Sequence, residues 1–433
     1  MQEAQVLDQF ETDEMEHEVT SGANARMFSP GDAVDWLKNR GSDLQDLLVD
    51  DASRLNLISL GGEGEGEFGI SPNVKSITDN GGKISSSLEK NGYIRLTENS
   101  VRQLCNLLGV PKGFVRYKGM HAPEKRLISD FLGKFSGESG KKSPLIFRTS
   151  TIGGTRQVEG IIPQSADRTD ENKMVRIAMT KVMERVGQGM RGVEFIEDPK
   201  RATRSFRLVF GNPCFDHDAP DGSAHLIKMR DRMYPMIDMR LSAVGVVTPQ
   251  VSLGVWRVVC RNSAVDELCK AAQWTGGSDR SMNLFEKSME AIASLAVPMG
   301  NLLGQRCDEI YSAPLNLYST ACIERMMNLG AITSAHGDAA LNLFEHGYGH
   351  DMPNGDGQWG MFNALTDAAK VLNPIQSRRS AESRSMTLAM QRDGFNGVCE
   401  NGLNINKSRA GMIELFDKSD EIRDVLARVA ANN

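Results

Sequence analysis

The chain has 433 residues, of which 40% are hydrophobic and 24% are charged, and its formal net charge is −6. These proportions are near those of globular proteins and exclude a disordered or collagen-like chain. The sequence has no apolar run of about 18 residues that could span a bilayer, and its acidic start does not resemble a signal peptide. We therefore expect a cytoplasmic protein without a membrane partner, long enough for about two or three domains.

Charge is distributed unevenly along the chain. Residues 1–18 carry seven acidic side chains and neither Lys nor Arg. This composition predicts that residues 1–28 form a disordered acidic arm. From Arg148 to Arg261 the balance reverses, with 18 basic side chains against 13 acidic ones. The negative net charge therefore does not exclude a nucleic-acid partner for the central region.

The cysteines show no pairing pattern. They are scattered through apolar stretches, and no two of them form a C-x-x-C motif. An odd and unpatterned set is typical of buried thiols in a reducing cytoplasm rather than of a disulfide framework or a zinc module. The seven residues are Cys105, Cys214, Cys260, Cys269, Cys307, Cys322 and Cys399.

Residues 29–143 are predicted to form a helical N-terminal region that ends in a linker rich in Gly, Ser and Lys. Ser29 and Pro30 are typical of an N-cap and a first helical position, and Gly41 is typical of a helix end. A second helix is expected to begin at Ser42. Its core residues would be Leu44, Leu47, Leu48 and Leu55.

The segment Leu104–Tyr117 reads LCNLLGVPKGFVRY and has the spacing of a helix-turn-helix. Thr97 is expected to cap the first of its helices. The second helix would contain Gly113 and would be short for a reader of the DNA major groove. Two core helices that meet at a glycine corner are the alternative interpretation.

The predicted fold class is α+β, with N-terminal helices, a central antiparallel sheet with a packed helix, and a helical C-terminal region over residues 264–433. In the central domain, residues 144–263, the segment Asp170–Gly187 has apolar residues at helical spacing. The other apolar segments are bounded by turn residues, as strands are. They are Leu145–Arg148, Gln157–Pro163, Gly192–Ile196, Arg204–Phe210, Met236–Val247 and Val251–Arg261.

Basic side chains on this predicted sheet are the candidate nucleic-acid-binding residues. Arg207 alternates with Phe206 and Leu208, so we expect it to point away from the core. Tyr234 or Phe215 could stack on a base. The candidate set is Lys141, Lys142, Arg148, Arg204, Arg207, Arg240, Arg257 and Arg261. The alternative is an ordinary solvated sheet face, which also carries arginines.

The sequence has no recognisable catalytic centre, and we expect neither an enzyme nor a cofactor. The His346–His350 pair has helical spacing for zinc, but Gly347 and Gly349 interrupt the helix. His336 lies ten residues before that pair. Asp216, His217 and Asp218 are metal-type ligands as well, in a segment with the composition of a solvated loop. Whether either group binds a metal is left open, and no structural metal is expected.

Four segments in order give the chain a family resemblance. They are LTENSVRQLCNLLGVPKGF (96–114), RDRMYPMID (230–238), VSLGVWRVVCRNSAV (251–265) and FNALTDAAKVLN (362–373). Together they resemble the phage and plasmid proteins grouped as domain-of-unknown-function family nine hundred and thirty-two. The resemblance implies residence in a mobile element of a bacterial host and work on DNA. It implies no reaction.

The leading functional hypothesis is a phage- or plasmid-encoded accessory protein that binds single-stranded DNA during replication or recombination. Phosphate neutralisation by the basic set would supply its affinity. One alternative is a helix-turn-helix transcriptional regulator. Another is a non-catalytic assembly or anti-defence interaction protein. Association of the chain with copies of itself is left open.

Overall fold

The structure is a computed structural model in which the described residues form two β-sheets and a set of packed helices. Those residues are 24–49, 55–59, 68–72, 77–79, 92–107, 145–152, 155–163, 170–186, 189–198, 202–218, 230–245, 249–257, 262–273, 279–346, 357–372, 375–391 and 393–403, with 420 and 424. Within this part of the chain the fold is mixed α and β, with helices toward the C-terminus, as predicted.

The described strands, numbered in chain order, divide equally between the two sheets. They are β1 (Asn24–Phe28), β2 (Gln45–Val49), β3 (Leu55–Ser59), β4 (Phe68–Pro72), β5 (Ile77–Asp79), β6 (Ile94–Leu96), β7 (Leu145–Ile152), β8 (Thr155–Pro163), β9 (Met190–Asp198), β10 (Thr203–Phe210), β11 (Phe215–Asp218), β12 (Arg230–Leu241), β13 (Gln250–Arg257) and β14 (Asn262–Gln273).

The described helices follow the same numbering. They are α1 (Pro30–Asp43), α2 (Glu98–Leu107), α3 (Glu171–Val186), α4 (Asp279–Tyr311), α5 (Ser319–Asn328), α6 (Ser334–Glu345), α7 (Gln358–Lys370), α8 (Ile375–Ala389) and α9 (Gly394–Asn401). Every helix in the described ranges is too short or too polar to cross a membrane.

Sheet 1 is antiparallel and has the order β1-β9-β10-β12-β13-β14, with β11 paired to β12. One of its faces carries Phe195 and Phe206, whose rings lie 5.1 Å apart and contact Trp36 of α1. The same core continues into α3 and α4, through residues such as Val182 and Met289 that are fully buried. Apolar alternation in the strands and helical spacing in α3 produce this layer together.

Sheet 2 has the order β3-β4-β6-β8-β7-β2-β5 and is antiparallel except for the parallel pair β6–β8. It packs beside sheet 1 through polar contacts as well as apolar ones. Arg148 on β7 donates from Nη1 to the Ala243 carbonyl at 2.6 Å, and Gln103 on α2 donates to the Val244 carbonyl at 3.2 Å. These bonds join the N-terminal elements to the turn that follows β12.

The predictions for the N-terminal region were partly wrong. Ser29 does cap α1, since its Oγ accepts from the Asp32 amide at 3.2 Å, and Thr97 likewise caps α2. The second helix from Ser42 is absent, because Leu47 and Leu48 belong to β2 and Leu55 begins β3. The acidic arm ends earlier than expected, since residues 24–28 form the edge strand β1. Residues 1–23 lie outside the described ranges.

In the central region the individual strands and the helix were predicted correctly, but their assignment to a single sheet was wrong. The predicted strands and the helix α3 exist, but β7 and β8 belong to sheet 2 rather than to the sheet of β9 to β13. The helical C-terminal region begins later than predicted, since residues 262–273 form β14 on the edge of sheet 1. β14 is an edge strand of twelve residues, and its pairing with β13 has two register shifts. Because bulges of this kind disturb the alternation of apolar and polar residues, the sequence did not indicate a strand here.

The prediction that every cysteine is a thiol was wrong for one pair. Cys322 on α5 and Cys399 on α9 form a disulfide, with their Cα atoms 5.9 Å apart and a sequence separation of 77. Cys105 and Cys307 are buried, Cys214 is half-buried, and none of the three belongs to this disulfide. A pair so distant in sequence leaves no spacing pattern to recognise.

Candidate functional site

Arg207 does not lie on a solvated face, which corrects the central expectation about the candidate set. It does point away from Phe206, but its side chain is 0% exposed. Its guanidinium contacts Glu194 at 3.0 Å, Asp238 at 3.6 Å and Glu382 of α8 at 2.6 Å. Helix α8 therefore covers this part of sheet 1, and Arg207 is unavailable to a phosphate backbone.

The pKa of the Arg207 guanidinium follows from this setting. Burial alone would lower that pKa, but the negative charges of Glu382 and Glu194 outweigh the burial and raise it. Arg378 adds a second cation, since its Nε donates to Glu382 at 2.9 Å. Ser205 donates to Asp238 at 2.5 Å. The group is a closed network of paired charges, which is the condition under which buried charges are tolerated.

Arg204 is buried in the same way, at the junction of the two sheets. It contacts Glu159 of β8 at 2.5 Å, Glu171 of α3 at 3.0 Å and Glu197 of β9 at 2.9 Å. Burial opposes the charge of this guanidinium, but the three carboxylates raise its pKa well above the ordinary value. Arg204 thus ties sheet 1, sheet 2 and α3 together, and it is not a surface cation.

The remaining candidates divide into two groups. Arg148 is buried and its Nε contacts Asp46 at 2.8 Å, and Arg240 is half-buried beside Gln250 in the register of β12 and β13. The structure does not describe the side chains of the second group. Of this group, Arg257 has its backbone paired with that of Met233 between β12 and β13. The members of the second group are Lys141, Lys142, Arg257 and Arg261.

The proposed stacking residues are also unavailable. Phe215 and Tyr234 are 2% and 3% exposed, and both belong to apolar clusters. The candidate recognition helix of the helix-turn-helix begins after Leu107 and lies outside the described residues. The basic face expected from the sequence is therefore not assembled by the side chains that the structure describes.

The histidine and aspartate candidates do not gather into a metal site among the described residues. His336 is buried, and its Nε2 donates to the Leu365 carbonyl at 2.8 Å. His346 lies at the C-terminal end of α6, and His350 is outside the described ranges. Asp216, His217 and Asp218 form the strand β11 rather than a loop, where His217 contacts Asp308 at 2.7 Å and stacks on Tyr311.

A polar cavity of about 350 Å³ lies in the C-terminal helical region and is the strongest candidate site among the described residues. Its walls are the C-terminal end of α4, the loop that follows it, the start of α7 and one side of α9. We call it the acidic cleft. Its lining residues are Arg306, Glu309, Ile310, Ala313, Asn316, Gln358, Asp393, Asn396 and Glu400.

Helical spacing aligns the lining residues on two walls. Asp393, Asn396 and Glu400 are separated by three and four positions, so they follow one face of α9 and its N-cap. Arg306 and Glu309 are three positions apart on α4 in the same manner. The sequence contained this spacing, but α9 has only eight residues and was not predicted as a separate helix.

The cleft has a surplus of negative charge. Among the described residues, Arg306 is the one cation that lines it, and its guanidinium donates to Glu309 and to the carbonyls of Ala389 and Gln391. Glu309 therefore balances Arg306, and two exposed carboxylates remain, Asp393 and Glu400. The Glu400 carboxylate accepts a hydrogen bond of 3.3 Å from the side-chain Nδ2 of Asn316. The cleft is thus chemically suited to a cation rather than to a phosphate.

Gln358 gives the cleft a buried polar group that faces its interior. The residue is 6% exposed, and its Oε1 accepts from the Phe395 amide at 3.0 Å. Among the described residues, its Nε2 has no acceptor and is left to interact with whatever occupies the cleft. Gly394 makes this arrangement possible, because its φ is +56° and a Cβ there would overlap the Gln358 amide oxygen.

The chain has no match among protein-family models, curated proteins or solved structures. The resemblance to domain-of-unknown-function family nine hundred and thirty-two therefore stays a prediction that rests on the four sequence segments.

Proposed function

We propose that the protein is a non-catalytic binding protein whose acidic cleft receives a cationic group of a partner protein. The observation that carries this proposal is the pair of exposed carboxylates, Asp393 and Glu400, in a cavity where the one arginine among the described lining residues is already paired with Glu309. The proposal corresponds to an assembly or anti-defence interaction role. Residence in a phage or plasmid is part of the proposal and rests on the sequence resemblance alone.

A guanidinium or ammonium group fits the chemistry of this cleft. Charge-assisted hydrogen bonds to two carboxylates are stronger than neutral ones. The Gln358 Nε2 donor can bind a carbonyl oxygen next to the cation, as in a polypeptide. Since the carboxylates are exposed, the attraction is screened by salt, and an isolated cation should bind only with a dissociation constant of about 1 mM.

The test is isothermal titration of the full chain with N-acetyl-arginine amide at low salt. We expect the double variant Asp393→Asn with Glu400→Gln to weaken binding about tenfold, through loss of charge-assisted hydrogen bonds. The matched control is Glu324→Gln with Asp338→Asn, which removes the same charge from exposed positions of α5 and α6. Equal weakening by the control, or no binding at about ten times the expected dissociation constant, would overturn the proposal.

Binding of single-stranded DNA is a second proposal, favoured by the excess of Lys and Arg between Arg148 and Arg261. Because Arg148, Arg204 and Arg207 are buried, its phosphate contacts must come from other side chains. We assign them to Lys141, Lys142, Arg240, Arg257 and Arg261.

Fluorescence anisotropy with a labelled oligonucleotide tests this second proposal. Contacts with about four phosphates predict a slope of about −3 in log affinity against log salt. Changing Lys141 and Lys142 to Glu should reduce both affinity and slope, whereas the exposed pair Lys173 and Arg176 on α3 serves as the control. Absence of binding at about 50 mM salt would contradict DNA binding.

A further inference from the structure

Two exposed apolar side chains stand beside the acidic cleft. Leu317 is 42% exposed and Tyr318 is 89% exposed, and both follow Asn316 of the cleft wall directly. Tyr318 is the N-cap residue of α5 and makes no side-chain capping hydrogen bond. Tyrosine combines an apolar ring with a polar hydroxyl, and for this reason it is enriched at binding interfaces.

The loop that carries these residues is held in place by the walls of the cleft. The Ala313 carbonyl accepts from the Gln358 amide at 2.9 Å, and the Pro314 carbonyl accepts from Asn396 Nδ2 at 3.0 Å. Asn396 Oδ1 in turn accepts from the backbone amide of Asn316 at 2.8 Å. The loop therefore presents its two apolar side chains at a fixed place relative to the cleft, so less entropy is lost when a ligand binds there.

We propose that the partner is a polypeptide segment with a basic residue followed closely by an apolar one. The basic side chain enters the cleft between Asp393 and Glu400, and the apolar side chain packs on Tyr318 and Leu317. An extended peptide advances about 3.3 Å per residue, so we place the apolar residue two positions after the basic one, about 7 Å further along the peptide. This inference rests on the proposed function and specifies the partner that the same site selects.

Charge complementarity argues against other occupants of this surface. The carboxylates that attract a guanidinium repel the phosphates of nucleic acid and of anionic lipid headgroups. A purely apolar peptide would leave Asp393 and the Gln358 donor without partners in the complex and Glu400 with Asn316 alone, at a desolvation cost. A segment with both a cation and an apolar side chain satisfies the cleft and the loop together.

Peptide titrations test the inference on the full chain. The probes are acetyl-Gly-Arg-Gly-Leu-Gly-amide and a matched peptide with Ser in place of Leu. We expect the Leu peptide to bind about tenfold more tightly, because its side chain buries apolar area against Tyr318. Tyr318→Ala should abolish this preference. Val371→Ser is the control, since Val371 is 69% exposed at the other end of α7 and should leave the preference intact.

The outcomes separate the inference from the proposed function. If both peptides bind equally to the unchanged protein, or if Tyr318→Ala keeps the preference for Leu, the docking surface is refuted while cation binding stands. If neither peptide binds and N-acetyl-arginine amide does not bind, both the inference and the proposed function are refuted. Tyr318→Ala is expected to fold normally because the ring is 89% exposed, and thermal unfolding checks this.

Discussion

Arg207 and Glu382 lie 175 residues apart in the sequence, and Nη2 of the arginine contacts Oε2 of the glutamate at 2.6 Å in the interior. The arginine belongs to β10 and the glutamate to α8, so their ion pair connects sheet 1 to the C-terminal helices. Both side chains are at most 1% exposed. Loss of either charge would leave this buried network, which also contains Glu194, Asp238 and Arg378, with unbalanced charge.

We therefore predict that Arg207→Met lowers the free energy of unfolding by about 3–5 kcal/mol, since it removes a buried cation from Glu194 and Asp238 and leaves Glu382 with Arg378 alone. Urea denaturation followed by circular dichroism measures the change. The control is Arg185→Met, whose side chain is 48% exposed and pairs with Glu290 at the surface. Its loss should be below about 1 kcal/mol. Equal losses in the two variants would contradict the role of Arg207 as an interior cation.

The Arg207 result shows what a single sequence can and cannot predict. Strand alternation correctly separated Arg207 from Phe206 and Leu208 on β10. It could not indicate what covers the other face, because Glu382 lies far along the chain. Alternation identifies the two faces of a strand, whereas burial depends on elements that pack there from a distance. The acidic cleft was missed for the same reason, since its walls come from four separate segments.

The disulfide between Cys322 and Cys399 gives a second prediction. Peptide mapping without reductant should recover a cross-linked peptide that contains both cysteines. Because the bridge closes a loop of 77 residues, the chain-entropy model assigns it about 4–5 kcal/mol of stability. The double variant Cys322→Ala with Cys399→Ala should lose a comparable amount. Recovery of both cysteines as free thiols from protein purified under oxidising conditions would contradict the bridge.

Cys214 serves as the internal control for that mapping. Burial is the main cause that raises the pKa of its thiol to about 12, and the nearby Asp308 carboxylate raises it further. Since the thiolate is the reactive form, this thiol should resist alkylation near about pH 8 in the native protein. It should react after denaturation, when its pKa returns to the ordinary value. Rapid alkylation of native Cys214 would contradict the raised pKa of its thiol.

His336 predicts a pH dependence of stability. Burial lowers the pKa of its imidazole, and the hydrogen bond to the Leu365 carbonyl opposes that shift only in part. The unfolded chain, with an ordinary pKa of about 6.5, therefore binds a proton more readily than the folded protein. The stability that depends on a neutral His336 is fully present above the unfolded pKa. It is lost as the pH falls below that pKa, by at most about 1.4 kcal/mol per pH unit.

Urea denaturation of the unchanged protein and of His336→Gln between about pH 7.5 and pH 5 measures this effect. The glutamine amide can still donate to the Leu365 carbonyl but does not titrate, so its stability curve should be flatter. His346→Gln, at the exposed end of α6, should keep the slope of the unchanged protein. Parallel curves for the unchanged protein and His336→Gln would show that His336 titrates normally in the fold.

The last prediction concerns Gly394, the first residue of α9, which lies against the buried side-chain amide of Gln358. Its φ of +56° costs any other residue about 1–3 kcal/mol, and a Cβ would also overlap Gln358 Oε1. In Gly394→Ala the amide of Gln358 must move, which breaks its bond with the Phe395 amide and removes its Nε2 from the acidic cleft. We expect lower stability together with weaker binding of N-acetyl-arginine amide.

Gly402→Ala separates the two effects of that substitution. Gly402 also has a positive φ, +74°, but the nearest atom to its Cβ would be in Leu329 at an ordinary 3.9 Å. It should therefore show the backbone strain, a loss of about 1–3 kcal/mol, without displacing a side chain of the cleft. Urea denaturation and titration of both variants give the comparison. If Gly402→Ala weakened ligand binding as much as Gly394→Ala, the loss would reflect general destabilisation, and Gln358 would have no specific part in the cleft.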